Sequence, residues 1–173
     1  LERAVGCLRG AGWRDVHPHP LCWRFLLEEG YNWQAVGPLP VMLELHFRLW
    51  GSVPEGFAAG LMDRARPAPE RGRHALAIDP VDAAIVAAVH VWQTPVPRPL
   101  LFLWDVHRIT TLVLDDRGCE ELVRRTVATG LQLYLAVSTR CVAALWPTET
   151  AERLAAQLAG ACGRFERRLL ARS

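Results

Sequence analysis

The chain has 173 residues, of which 51% are apolar, and a formal net charge of +2. This length and composition suffice to bury a core in one compact domain, and the charge is too small to indicate nucleic-acid binding. No stretch approaches the roughly 18 consecutive apolar residues that span a membrane, and the first ten residues carry charges where a signal peptide would be apolar. The five cysteines are widely spaced and never form a Cys-x-x-Cys pair, which favours reduced thiols, so we expect a cytoplasmic protein.

The first 50 residues indicate one helix and three strands. Apolar residues at helical spacing predict a helix over residues 1–11, and a strand follows near residues 13–16. Residues 31–36 and 41–50 predict two further strands, with the turn Gly37-Pro-Leu-Pro40 between them. This part of the chain therefore mixes helix and sheet.

The remainder of the chain is mainly helical in pattern. A helix is predicted over residues 55–64, and a short strand over residues 74–78. Asp79 is a typical N-cap for the helix that Pro80 begins, and a second helix is predicted over residues 98–113, followed by three or four more. We predict an α+β fold in two parts, a sheet-containing part over 1–78 and a helical bundle over 79–173.

The stretch VMLELHFRLW, residues 41–50, places polar groups at alternate positions of an apolar run. Because successive side chains of a strand point to opposite faces, Glu44, His46 and Arg48 share one face. The opposite face carries only apolar side chains, and these are Leu43, Leu45, Phe47 and Leu49. The polar face either lines an active site or lies in solvent, where Glu44 would form an ion pair with Arg48.

A second polar pair is predicted between two neighbouring helices. His90 follows an Ala- and Val-rich run, and Asp105 lies on the next predicted helix. Asp105 and His107 are two residues apart, so they do not share a helix face and cannot easily bind one metal ion. We expect a structural hydrogen bond between His90 and Asp105. Asp115 and Asp116 are interpreted as a helix N-cap and turn.

Three segments together resemble the uncharacterised nucleotidyltransferase family of bacteria: LELHFRLW at 43–50, DPVDAAIVAAVH at 79–90 and LLFLWDVHRI at 100–109. The resemblance implies a nucleotidyltransferase-like mixed sheet with helices over residues 1–78, followed by the helical bundle. It also implies the transfer of a nucleoside monophosphate from an NTP to an unknown acceptor hydroxyl or phosphate, with Mg²⁺ as cofactor.

The same resemblance assigns roles to the polar strand. In this superfamily an Asp-x-Asp strand supplies two metal-binding carboxylates and a later strand supplies a third. Glu44 matches the third as catalytic residue and metal ligand, His46 would be catalytic, and Arg48 would bind substrate near the phosphates. These 173 residues contain no Asp-x-Asp.

Either the sequence starts just after the Asp-x-Asp strand, or that strand has been lost. Because losing two of three carboxylates should abolish two-metal phosphoryl transfer, we expect the chain as it stands to be inactive. The alternative is a non-catalytic binding or scaffold protein that kept the fold and lost the metal cluster. The acceptor, the preferred nucleotide and the oligomeric state are left open by the sequence.

Overall fold

The computed structural model describes residues 2–16, 32–37, 42–46, 53–93 and 99–171. The chain divides into two compact units, Leu1–Ala58 and Ala59–Ser173. The described residues confirm an α+β fold with a C-terminal helical region. The predicted division into a sheet-containing part over 1–78 and a helical bundle over 79–173 stays a prediction.

The described residues of the first unit form a helix and a three-stranded antiparallel sheet, in the predicted order along the chain. The sheet order is β1-β2-β3. The elements are α1 (Glu2–Gly10), β1 (Arg14–Asp15), β2 (Asn32–Val36) and β3 (Met42–His46). Residues 47–50 of the predicted third strand, and the turn residues 38–40, lie outside the described residues.

Two glycines shape this sheet. Gly12 ends α1 with a φ of 85°, a left-handed conformation that glycine adopts without steric cost. The chain then turns directly into β1, where the backbone N–H of Trp13 donates to the carbonyl of Leu8 at 3.0 Å. Gly37 follows β2, and a Cβ atom at this position would lie 3.0 Å from the Trp13 ring. The indole ring therefore requires glycine at position 37.

The remaining elements comprise a two-stranded antiparallel sheet and seven helices. Helix α2 crosses the division between the two units, and the others belong to the second unit. The elements are α2 (Glu55–Arg64), β4 (Arg66–Pro67), a 3-10 turn (Pro69–Arg71), β5 (Leu76–Ala77), α3 (Pro80–Gln93), α4 (Pro99–Arg108), a π turn (Ile109–Val113), α5 (Asp116–Ala128), α6 (Gln132–Leu145), α7 (Glu149–Ala161) and α8 (Arg164–Leu170).

Helix α3 lies at the centre of the helical region. It contacts α4, α5 and α6, and its sequence is apolar around most of its circumference, as expected for a helix packed on several sides. Ile85, Ala88 and Val89 have no exposed surface. The small alanine side chains allow the neighbouring helices to approach closely.

Side-chain caps fix the beginnings of three helices. The Asp79 carboxylate accepts from the backbone N–H of Val81 at 3.1 Å, and the Asp115 carboxylate accepts from the N–H of Gly118 at 2.7 Å. Both caps confirm the sequence prediction. Thr148 caps α7 in the same way. Each cap satisfies a backbone N–H that has no partner inside its helix.

The helix predicted over residues 98–113 changes its hydrogen-bond pattern within its length. Helix α4 ends at Arg108 and a π turn follows over Ile109–Val113. The Thr110 hydroxyl donates to the Val106 carbonyl at 2.8 Å, and the Thr111 hydroxyl donates to the His107 carbonyl at 2.6 Å. Hydroxyls that bond to carbonyls of the preceding turn compete with the regular helical pattern. The predicted helix is thus confirmed over Pro99–Val113, with π geometry in its last five residues.

The strand pairs in the described ranges are antiparallel in both sheets. The mixed sheet implied by the family resemblance is thus not seen in these ranges. No helix among the described residues has the length and apolar character needed to cross a membrane.

Candidate functional site

The predicted polar strand is β3, and its register places the two candidate catalytic residues at alternate positions. Glu44 lies opposite Gln34 and His46 lies opposite Asn32 of β2. The side chains of Glu44 and His46 are not among those described, and Arg48 lies outside the described ranges altogether. The catalytic, metal-binding and substrate-binding roles of these residues stay predictions.

The neighbouring strand indicates which face of the sheet is buried. Residues paired directly across an antiparallel sheet lie on the same face. Ala35, paired with Leu43, has no exposed surface, whereas Val36 on the alternate face is 38% exposed. Gln34, paired with Glu44, is half-buried. The face of β2 that carries Gln34 and Val36 is thus its more accessible face.

The described side chains do not form a ready metal site. Within the described ranges, no group of three or more His, Cys, Asp or Glu side chains is arranged to hold a metal ion. Asp63 lies on helix α2.

A network of buried charges in the second unit was not predicted. The Asp82 carboxylate is fully buried and accepts from Arg64 Nε at 2.7 Å and from Arg125 Nη1 at 2.6 Å. Arg125 also donates to Asp79 at 3.0 Å and to Glu121 at 2.9 Å. The guanidinium of Arg125 thus joins the beginning of α3 to the last turn of α5.

Electrostatics within this network favour the charged forms of Arg125 and Glu121. Burial opposes the charged form of Arg125, but hydrogen bonds to Asp82 and Glu121 outweigh it and raise the pKa of Arg125. The pKa of Glu121 falls from 4.5 to about 2, chiefly because Arg124 donates hydrogen bonds to its carboxylate. Every charge in the centre of the network therefore has an opposite charge beside it.

A cleft of about 570 Å³ opens over this network. Its lining contains four arginines and four acidic residues, and these are Arg66, Arg117, Arg124, Arg125, Asp79, Asp115, Glu120 and Glu121. Three of these guanidinium groups, those of Arg66, Arg124 and Arg125, lie beside carboxylates. An anionic ligand would therefore meet negative charge there, and a cation would meet positive charge. We therefore interpret the cleft as the outer surface of a structural ion-pair network.

The two helices of the predicted His90–Asp105 pair are neighbours, since α3 packs on α4. The His90 ring lies against the ring of Phe102, with 4.2 Å between the ring centroids. Asp105 is half-buried on α4. The hydrogen bond between His90 and Asp105 stays a prediction.

His107 occupies a buried aromatic cluster that the sequence did not reveal. Its ring lies 5.1 Å from the Trp104 ring and 5.3 Å from the Trp146 ring. The residue is 9% exposed, and its buried Nδ1 atom has no hydrogen-bond partner among the described residues. Asp105 and His107 differ in burial, as expected for residues two positions apart on a helix.

Together, these elements define an α+β protein with a polar strand face in the first unit and a helical region in the second. The model of the uncharacterised nucleotidyltransferase family matches residues 1–147, and the chain belongs to that family. The resemblance identified from the sequence is thereby confirmed. No curated protein and no solved structure matches the chain.

Proposed function

We propose that this chain belongs to a nucleotidyltransferase in which β3 supplies one metal-binding carboxylate, that of Glu44. The family match over residues 1–147 carries the proposal. The central position of Glu44 in a paired strand, opposite a half-buried glutamine, supports it further. We also propose that the complete sheet is mixed, as in the superfamily, and that the protein is cytoplasmic.

The chemistry assigned to the family explains why these residue types are needed. An acceptor oxygen attacks the α-phosphorus of an NTP, the bond to the pyrophosphate breaks, and negative charge develops on the phosphate oxygens. Mg²⁺ bridging the phosphates would neutralise that charge, with Glu44 as one of its oxygen ligands. Arg48 would donate to phosphate oxygens, and His46 would lie beside the reacting phosphate.

We expect the 173-residue chain to bind a nucleotide but not to transfer it to an acceptor. The 173-residue sequence holds one of the three carboxylates expected for the metal ions. Mg²⁺ alone should therefore bind weakly, with a dissociation constant on the order of millimolar or higher, because Mg²⁺ relies on several oxygens including substrate phosphates.

The test measures binding and transfer on the same preparations. Nucleotide binding with and without Mg²⁺ is followed by ligand-observed NMR, and transfer is followed with labelled NTPs. Glu44→Gln should lose Mg²⁺-dependent nucleotide binding, whereas Glu70→Gln, at a side chain that is 69% exposed on the 3-10 turn, should retain it.

The outcomes distinguish a nucleotidyltransferase that uses Glu44 from a non-catalytic scaffold protein. Product formed above the level of a Glu44→Ala variant would show that the chain is active as it stands. Nucleotide binding that is indifferent to Glu44→Gln, or absent throughout, would contradict the role of Glu44. The latter result would favour the non-catalytic scaffold.

A further inference from the structure

An apolar groove lies between the end of α3, the first half of α6 and the end of α8. It encloses about 300 Å³ and is lined by Trp92, Leu133, Tyr134, Val137 and Leu169. Apart from the polar edges of the indole and phenol rings, its walls offer a ligand only apolar contacts. The groove shares no lining residue with the charged cleft.

The apolar surface extends beyond the groove itself. Trp92 is 49% exposed and Leu169 is 41% exposed. Phe165, which is 72% exposed, precedes Leu169 by one helical turn, so both lie on one face of α8. The Trp92 ring is held in place because its Nε1–H donates to the buried Ser138 hydroxyl at 3.0 Å. A fixed, half-exposed tryptophan of this kind is a typical anchor of a protein interface.

Helix α8, which supplies Leu169 to the groove, carries three exposed arginines. Arg164, Arg167 and Arg168 are exposed on α8 and make no ion pair within the described part of the chain. Arg140 donates to the carbonyl of Leu170, beside the groove residue Leu169.

One carboxylate on α8 offsets part of this charge. Glu166 accepts from the Gln132 amide at 3.0 Å and from the backbone N–H of Gly163 at 2.6 Å, and it carries one negative charge against the four arginines Arg140, Arg164, Arg167 and Arg168. An occupant of the groove would therefore be stabilised by negative charge at its edges.

We propose that this groove docks an acidic amphipathic helix of a partner protein. Two or three apolar side chains at i, i+3 or i+4 and i+7 would fill the groove, and flanking carboxylates would meet Arg140 and Arg168. Aromatic and arginine residues together are the composition enriched in protein interfaces. A second copy of this chain docked groove to groove would instead place the arginine rims against each other, which is unfavourable.

The experiment selects ligands rather than assuming one. A phage-displayed library of 16-residue peptides is panned on the full chain and counter-selected on a Leu169→Glu variant. Enriched peptides are then synthesised with a fluorophore, and their binding is measured by anisotropy at low and high salt. We expect enriched sequences to be net acidic, with apolar residues at helical spacing.

Matched variants locate the binding surface. Leu169→Glu should weaken binding of the selected peptide at least tenfold. Arg168→Glu should weaken it severalfold and should also reduce the salt dependence of peptide binding. Leu112→Glu changes a leucine that is 71% exposed in the π turn and should leave binding unchanged. Circular dichroism of each variant verifies that it is folded.

Several results would overturn the proposal. These are a failure to enrich groove-dependent peptides, enrichment of neutral or basic peptides, and binding that survives Leu169→Glu. Sedimentation that shows dimers lost in Leu169→Glu would assign the groove to a second copy. Groove-dependent binding to phosphatidylglycerol vesicles without peptide binding would assign it to a membrane surface.

Discussion

Replacing Arg125 by methionine should be the most destabilising single change in the charged network. The Arg125 side chain is 15% exposed and contacts three carboxylates. Methionine preserves much of its length and apolar stem but removes every donor. The neighbouring Arg124 supplies a matched control, because it is 68% exposed and pairs with Glu121 alone.

The expected magnitude follows from what each carboxylate keeps after Arg125→Met. Glu121 retains its bond from Arg124, and Asp79 retains the N–H of Val81. Asp82 has no exposed surface and would keep a single partner, Arg64 Nε at 2.7 Å. Stranding a buried charge costs about 3–5 kcal/mol, and the surviving bond favours the lower end, about 3 kcal/mol.

Arg124→Met should cost under about 1 kcal/mol, since exposed ion pairs contribute little. Urea unfolding followed by far-ultraviolet circular dichroism measures both variants, with m-values checked for constancy. The double variant Arg125→Met/Asp82→Asn should recover part of the loss, giving a coupling energy of about 2 kcal/mol. Equal losses in the two arginine variants, or strict additivity in the double variant, would refute the assignment of the cost to a stranded Asp82.

Three further changes test other parts of the molecule. Because the pKa of Glu121 is lowered to about 2 from 4.5, its contribution to stability is fully present above about pH 4.5 and is lost as the pH falls through 2. The stability difference between the native chain and Glu121→Gln, on the order of 1 kcal/mol, should shrink in urea melts between pH 5 and roughly pH 2–3. Gly37→Ala places a methyl group 3.0 Å from an indole ring and should cost about 1–3 kcal/mol in thermal melts, whereas Gly6→Ala, with no atom within 4 Å, should not destabilise. Leu45→Ala should cost about 2–5 kcal/mol in denaturant melts and Glu44→Ala under about 1 kcal/mol, and equal large losses would mean that the polar face of β3 is structural.

Most secondary-structure elements could be predicted because their signals are local. The predicted helix over 55–64 has the same bounds as α2, and the caps at Asp79 and Asp115 lie where the sequence placed them. Such signals depend on hydrogen bonds between residues two or three positions apart, so a short stretch contains all the necessary information. The π turn was missed because it depends on how two threonine hydroxyls compete with the helix backbone.

The candidate site was predictable only in part. Alternation in VMLELHFRLW predicted a strand, and β3 confirms it over Met42–His46. The family could also be identified from the order and spacing of three motifs. No local pattern, however, indicated that Asp82 would be fully buried, because its partners Arg64 and Arg125 lie 18 and 43 residues away.

The sequence by itself determined the α+β class, the order of the elements and the family, because each depends on local propensity, periodicity or motif order. Tertiary structure alone decided which charges are buried together and which apolar side chains stay exposed. Asp82 and Asp105 are both aspartates on helices, yet the first is fully buried in ion pairs and the second is half-buried. The difference arises because burial depends on which helices pack around a residue, and that packing joins segments far apart in the chain.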